Sequence, residues 1–323
     1  MSMKKPPPSP HRPPPARGTR LRPTNMRKSA LPELQPGAKM DMALLKVKLA
    51  ALPPGIPHSL FIGLTGRCNL SCRHCKYSTA PEREKNADMP LRQVYSLITQ
   101  AAALGIPRVI FFGGEPLLYK GLEKAAAKAA ALGLFTELDT NGQLLTRGRA
   151  ARLAAAGLSS VMVSLHSHAP SRHDALSGAG SFRLAQKAVA VSRAAGLITY
   201  ISSCVFSGAL PSGDLDRLIA FAKRSGAHGA RILAYSPKKG ASSLPSELSA
   251  ALRKAGAGNY AGTCARPGRA CCAAAGGEIL FVGPSGEVRS CPYAAKPLGK
   301  AGSLAGFLRR PGRAGRFPCQ KPR

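Results

Sequence analysis

The sequence predicts an α/β protein, a partial (β/α)6 TIM-like barrel followed by a small cysteine-bearing C-terminal β-hairpin module. Three observations predict it. Between residues 59 and 235, six short apolar segments alternate with segments of helical spacing, the pattern of parallel strands joined by right-handed crossovers. Six such units fall short of the eight of a closed barrel, so the sheet should stay open. After about residue 258 the alternation stops, and cysteines flank two β-rich runs around a Pro-Ser-Gly turn.

Taken in order, residues 1–40 ("KKPPPSPHRPPPARGTRLRP" and its flanks) are proline-rich, basic and without apolar periodicity, which reads as a disordered tail. Residues 41–57 hold a lead-in helix within "KMDMALLKVKLAAL", stopped by Pro53 and Pro54, and a linker. The barrel is expected over 58–257. "SLFIGL" (59–64) suits a buried strand. "MPLRQVYSLITQAAALG" (89–105) suits a helix, with Asp88 placed to cap it and Pro90 in its first turn. "RVIFFGG" (108–114), "LFTELDTNG" (134–142), "SSVMVSLHS" (159–167), "LITYISSCV" (197–205) and "GARILAY" (229–235) are the remaining strands. Helices are expected at "GLEKAAAKAAALG", "RGRAARLAAAG", "SFRLAQKAVAVSRAAG" and "DLDRLIAFAKRSG". Residues 258–323 form the final module, with "GGEILFVGPSGEVRS" as its hairpin. In such a sheet the chemistry belongs at the C-terminal ends of the strands.

Composition narrows the function. No run of about 18 uncharged apolar residues is present, so a membrane span is not expected. The basic N-terminus has no apolar segment behind it, and the nine cysteines then point to a reducing compartment, the cytoplasm. The formal charge is +32, of which residues 1–40 (nine Lys/Arg, one acidic) and 300–323 (seven Lys/Arg, none acidic) supply about half. Such charge suits either an acidic partner or a basic solvated surface. The aromatic interleaving of a nucleic-acid binder is missing, so a nucleic-acid partner is not expected.

The chemistry starts in "GLTGRCNLSCRHCKYS", where Cys68, Cys72 and Cys75 follow the first strand as C-x3-C-x2-C. Three thiolates suit a cubane cluster with one iron left open, since such clusters usually take four cysteines. A zinc-held loop completed by Cys204 or another cysteine is the alternative. One βα unit later, "GGEP" (Gly113, Gly114, Glu115, Pro116) ends the second strand, "DTNG" the third and "SLHS" the fourth.

With these motifs together, residues 58–236 resemble the radical S-adenosylmethionine (radical SAM) superfamily. The resemblance implies a [4Fe–4S] cluster on Cys68, Cys72 and Cys75, with SAM chelating the open iron. It implies SAM contacts from His74 beside the adenine, from Gly113, Gly114, Glu115 and Pro116 at the amino group, and from Thr140, Asn141 and Ser164 at ribose or carboxylate. Two positions depart from the family pattern: His166 stands where many relatives carry an acidic residue, and Ser177 where an arginine is usual. The segment "CCAAAGGEILFVGPSGEVRSCPY" resembles the SPASM or twitch extension, which implies a second [4Fe–4S] cluster on Cys272, Cys291 and Cys319, with Cys271 or Cys264 as the fourth ligand. A zinc site on the same cysteines, or a module without metal, stays open. Cys204 reads as a core residue, and His166, His168 and His173 as surface or supporting residues.

The reaction implied is reductive cleavage of SAM to a 5′-deoxyadenosyl radical, with an electron donor of the flavodoxin or ferredoxin type. A peptide or protein is the expected substrate, and a small molecule or tetrapyrrole the alternative. An iron–sulfur electron-transfer protein without SAM cleavage is the reading from a different class.

Overall fold

In the computed structural model the described residues are 40–75, 86–206, 212–234, 244–254, 257, 261–262, 273, 274, 276–294 and 296–308. The lead-in helix α1 (Met42–Ala50) opens on Asp41, whose carboxylate accepts from the Leu44 N–H at 2.8 Å. The barrel strands are β1 (Ser59–Thr65), β2 (Arg108–Gly113), β3 (Phe135–Thr140), β4 (Ser160–Ser164), β5 (Ile198–Val205) and β6 (Gly229–Ala234). The helices between them are α2 (Leu91–Ala103), α3 (Leu122–Ala131), α4 (Arg147–Ala155), α5 (Pro170–Ser177), α6 (Ser181–Ala194) and α7 (Asp214–Arg224). Helices α3 and α4 run into Gly133 (φ 65°) and Gly157 (φ 87°), which take the left-handed turn that returns the chain to the sheet.

The six strands pair in sequence order, every pair parallel. Beyond β6 come α8 (Leu244–Lys254) and the two-residue strand β7 (Ala261–Gly262), which pairs with β6. The C-terminal hairpin, β8 (Ile279–Val282) and β9 (Glu287–Arg289), does not stand apart. Strand β8 pairs parallel to β1, β10 (Gly299–Lys300) follows β9, and a short helix α9 (Ala305–Leu308) comes last. The sheet order is β10-β9-β8-β1-β2-β3-β4-β5-β6-β7, so β1 and β6 never meet and the barrel is open.

Period-two alternation sets the two faces of this sheet. Leu60, Ile62, Leu64, Val109, Phe111, Leu138, Val161, Val163 and Ile201 join one apolar core with Val94, Leu97 and Ile98 of α2. Their neighbours in sequence point the other way, into the barrel. On that inner face Phe61, Ile110 and Phe281 form a separate cluster. Met40 and Leu45 pack on Phe135 at the start of β3 and on Ile198 at the start of β5. Helix α1 thereby covers the ends of the strands opposite the cysteine loop.

One expected local feature differs. Asp88 does not cap α2, whose N-cap is Pro90 with no side-chain bond. The Arg67 guanidinium takes the Asp88 carboxylate through two hydrogen bonds, 3.0 and 2.6 Å, and Thr65 Oγ1 adds a third at 2.5 Å. A charged bidentate partner outcompetes a neutral backbone amide.

Candidate functional site

The cysteine loop leaves the C-terminal end of β1 and is held at both of its ends. Arg67 anchors its start to Asp88 and to the Leu118 carbonyl. The Arg73 N–H donates to the Leu176 carbonyl of α5 at 2.9 Å, and the Cys75 N–H to the Cys72 carbonyl at 3.1 Å. Cys72 Sγ lies 4.0 Å from the Ser177 carbonyl, and Asn141 Nδ2 lies 3.8 Å from Cys68 Sγ.

The glycines of GGEP act on this loop. A Cβ on Gly113 would stand 2.3 Å from the Thr65 carbonyl oxygen, and one on Gly114 2.1 Å from that of Arg67. Only bare backbone lets β2 close on β1 here, and the closure is bonded: Gly114 N–H to Thr65 O and Glu115 N–H to Arg67 O, both 2.7 Å.

Glu115 is fully buried and lies outside the cavity lining, as does Pro116. Its Oε1 accepts from the Leu117 N–H (3.0 Å) and Thr140 Oγ1 (2.7 Å), and its Oε2 from the Asn141 N–H (2.8 Å). Burial pushes its carboxyl above the ordinary range, against these bonds. The carboxylate ties the end of β3 to the turn after β2. Asn141 is thereby aimed at the cysteine loop, donating to Asn69 Oδ1 at 2.9 Å.

Cys68, Cys72 and Cys75 share the lining of one cavity of about 260 Å³ with His74, Gly113, Gly114, Thr140, Asn141 and Ser164. Burial raises the Cys68 thiol to about 11 and pushes that of Cys72 up as well, so these sulfurs ionise readily only when a cationic metal centre stabilises the thiolate. Among the described residues, no three His, Cys, Asp or Glu side chains converge on one ion. The donors ring a space instead of a point, an arrangement that fits a cluster better than a lone zinc.

Of the two roles open to the histidines in the sequence, surface or supporting, His166 and His173 take the supporting one. His173 is 1 % exposed, and its ring stacks at 5.5 Å on His166, which meets His74 edge-on at 4.2 Å. The N–H groups of Cys204 and His166 donate to Nδ1 of His166 and His173 respectively, both at 3.1 Å. Burial lowers all three imidazoles, His173 to about 4 and His166 well below the ordinary value. Near neutral pH the trio is uncharged.

Deeper in the barrel the inward face carries charge that the sequence reading did not single out. Arg231 of β6 and Asp139 of β3 pair at 2.6 Å on the cavity wall, with Ser202, Cys204 and Met162 beside them. Burial works against the Arg231 charge, but Asp139 and Glu137 outweigh it and hold its pKa above the usual value. The signal was available: Glu137 and Asp139 alternate with apolar residues in "FTELDT", and Arg231 is the one charge in "GARILA". Cys204, expected in the core, lines the cavity, its thiol pushed up to about 12 by burial.

From the C-terminal hairpin region, Cys291 and Tyr293 close one side of the cavity, and the Tyr293 N–H lies 3.3 Å from Cys291 Sγ. Cys264, Cys271, Cys272 and Cys319 lie outside the described residues, as do residues 1–39 of the N-terminal tail, whereas Met40, expected in that tail, packs in the core. Among the described residues, no helix is long and apolar enough to cross a membrane.

Comparison with known proteins agrees with this geometry. Residues 62–222 match the family model of the Radical SAM superfamily. The Fe-coproporphyrin III synthase of Methanosarcina barkeri is 40% identical over 102 residues, covering 32% of this chain and 25% of that protein. A PqqA peptide cyclase of Streptomyces rochei is 33% identical over 163 residues, 50% of this chain and 43% of the cyclase. The chain therefore spans less than half the length of either. Among solved structures, Streptococcus suis SuiB bound to the precursor peptide SuiA superposes with a TM-score of 0.64 at 16% identity, covering 82% of this chain and 67% of that one. The structure of anSMEcpe with bound AdoMet gives 0.60 at 17% identity, covering 78% and 80%. These two establish the likeness of fold.

Proposed function

The chain belongs to the radical SAM superfamily through residues 62–222, and on that premise we propose that it is a radical SAM enzyme acting on a peptide or protein. One observation carries the reading: three cysteines spaced C-x3-C-x2-C ring a single cavity whose walls are the ends of the parallel strands. Cys68, Cys72 and Cys75 would hold a [4Fe–4S] cluster, and SAM would lie against Gly113, Gly114, Thr140, Asn141, Ser164 and His74. Once bound, cluster and SAM supply a 5′-deoxyadenosyl radical able to take a hydrogen atom from the substrate.

The chain's own residues position and shelter. Glu115 and Pro116 act from beneath, since both lie outside the cavity lining and Glu115 fixes Thr140 and Asn141. Asn141 Nδ2 reaches toward Cys68 Sγ, a contact that tunes a ligating sulfur. The neutral imidazoles of His74, His166 and His173 give the adenine side of the cavity an uncharged, stackable wall. Phe112, Met162 and Leu233 give the deeper half apolar walls.

A peptide is favoured over a tetrapyrrole bearing several carboxylates. Among the described residues lining the cavity, Arg231 is the one Lys or Arg side chain, and Asp139 already neutralises it. The similarity to the PqqA peptide cyclase supports the same choice. The identity to the Fe-coproporphyrin III synthase keeps a tetrapyrrole as the second reading. An auxiliary cluster that includes Cys291 would face the same cavity. A flavodoxin or ferredoxin would supply the electron, and the cytoplasm suits an oxygen-sensitive cluster.

The test is anaerobic reconstitution with iron and sulfide, then dithionite and SAM. Release of 5′-deoxyadenosine and methionine is expected, lost when any one of Cys68, Cys72 or Cys75 is replaced by Ala. A fully loaded protein that leaves SAM intact would be an electron-transfer protein instead.

A further inference from the structure

The inward face of the barrel holds an ion pair with unused valences. Arg231 Nη2 donates to Asp139 Oδ2 at 2.6 Å and to Ser202 Oγ at 3.4 Å, and Nε reaches the same Ser202 Oγ at 3.4 Å. Nη1 makes no hydrogen bond among the described residues, and Asp139 Oδ1 is buried without a partner. The Asp139 side chain is 8% exposed and that of Arg231 27%, and both line the cavity the cysteines share. A buried acceptor left unmatched is a standing cost, relieved when a donor arrives.

What would satisfy both open positions follows from charge. The pair is neutral as a unit. A carboxylate would gain Arg231 but be pressed against Asp139, and an ammonium would meet the reverse. A neutral primary carboxamide carries a donor and an acceptor side by side and satisfies both at once, which a trans backbone peptide group, its N–H and C=O pointing opposite ways, does not. The apolar side chains of Phe112, Met162 and Leu233 line the same cavity, and a less polar surrounding strengthens such bonds.

We propose that Asp139 and Arg231 form a substrate-anchoring subsite for a neutral primary carboxamide, such as an Asn or Gln side chain of the peptide. The amide N–H donates to Asp139 Oδ1, and its carbonyl accepts from Arg231 Nη1. This deepens the peptide reading and rests on it for the identity of the substrate. The subsite positions the target relative to the cysteine loop, and it selects against free carboxylates.

The experiment measures binding, not turnover, in the full chain. Two probes, N-acetylglycinamide and N-acetylglycinate, are titrated by ligand-observed NMR against wild type and Asp139→Asn. The wild type should prefer the amide. In D139N the amide should weaken by about tenfold or more, while the carboxylate should tighten because Arg231 has lost its counter-charge. A misfolded variant would lose both probes. In that event a crystal structure of the wild type soaked in N-acetylglycinamide decides: an amide between Asp139 and Arg231 supports the proposal, and its absence there overturns it. Equal affinity for the two probes in the wild type, or unchanged preference in D139N, also overturns it. Failure to release 5′-deoxyadenosine would remove the enzyme reading and leave this binding result standing.

Discussion

Replacing Gly114 by Ala tests the claim that the glycine pair exists to seat the cysteine loop. The new Cβ would stand 2.1 Å from the Arg67 carbonyl oxygen, 2.6 Å from the Arg67 carbonyl carbon and 2.7 Å from the Gly66 oxygen. Real Cβ atoms essentially never come closer than 3.0 Å, so backbone must retreat by about 0.9 Å (3.0 less 2.1). No flexible side chain can absorb that. Overpacking of this kind costs about 1–3 kcal/mol. The two 2.7 Å backbone bonds that close the same contact are stretched with it, at about 0.5–1.5 kcal/mol each. The sum is about 2–6 kcal/mol, or a fall in Tm of about 4–24 °C for a domain of this size. Gly302→Ala is the control, because its Cβ would meet nothing within 4 Å. Thermal unfolding followed by circular dichroism in metal-free protein reads both. Should G114A melt within about 2 °C of wild type, the loop is not seated as described, and the glycines would have to serve the ligand instead.

Other outcomes follow from the same geometry. Serine in place of Cys68, Cys72 or Cys75 should each remove about four irons per chain, measured by iron and sulfide analysis after anaerobic reconstitution. Leu45→Ala should cost about 2–3 kcal/mol by opening the small cluster with Met40 and Phe135; chemical denaturation reads this, and 5′-deoxyadenosine release should be unaffected. For Asp88, burial opposes the charge, but the hydrogen bonds from Arg67 and Thr65 hold its pKa below the usual carboxylate value. Its stabilisation is present above the unfolded-state pKa and is lost as pH falls through the depressed folded one. Asp88→Asn should therefore cost up to about 1 kcal/mol near pH 7, small because the pair is partly exposed. In denaturant titrations the difference should shrink as pH falls below the ordinary carboxylate range and vanish once pH is below the depressed folded-state value.

Much of the framework was legible in the chain itself. All six barrel strands lie within three residues of the expected segments, because each is a short apolar run closed by glycine or a polar turn. The short helix α5 escaped notice, since "PSRHDALS" lacks an apolar stripe and is fixed by its contacts with the cysteine loop. The capping role expected of Asp88 failed because Arg67, 21 residues away, reaches it first. The roles of the GGEP residues could not be divided by inspection. That Glu115 faces Thr140 and Asn141 is a fact about β2 lying beside β3, not about its own neighbours in sequence.

By itself the sequence determined which atoms are available and where along each strand they fall: the spacing of Cys68, Cys72 and Cys75, the strand-end motifs, and the period that sends Asp139, Ser202 and Arg231 to one face. Only the tertiary structure decided who meets whom. It brought Arg231 onto Asp139 from 92 residues away, stacked His74, His166 and His173, and laid β8 along β1 so that Cys291 and Tyr293 reach the cavity. The physical reason is that local pattern fixes the direction of a side chain, whereas its partner is fixed by the order and curvature of the sheet.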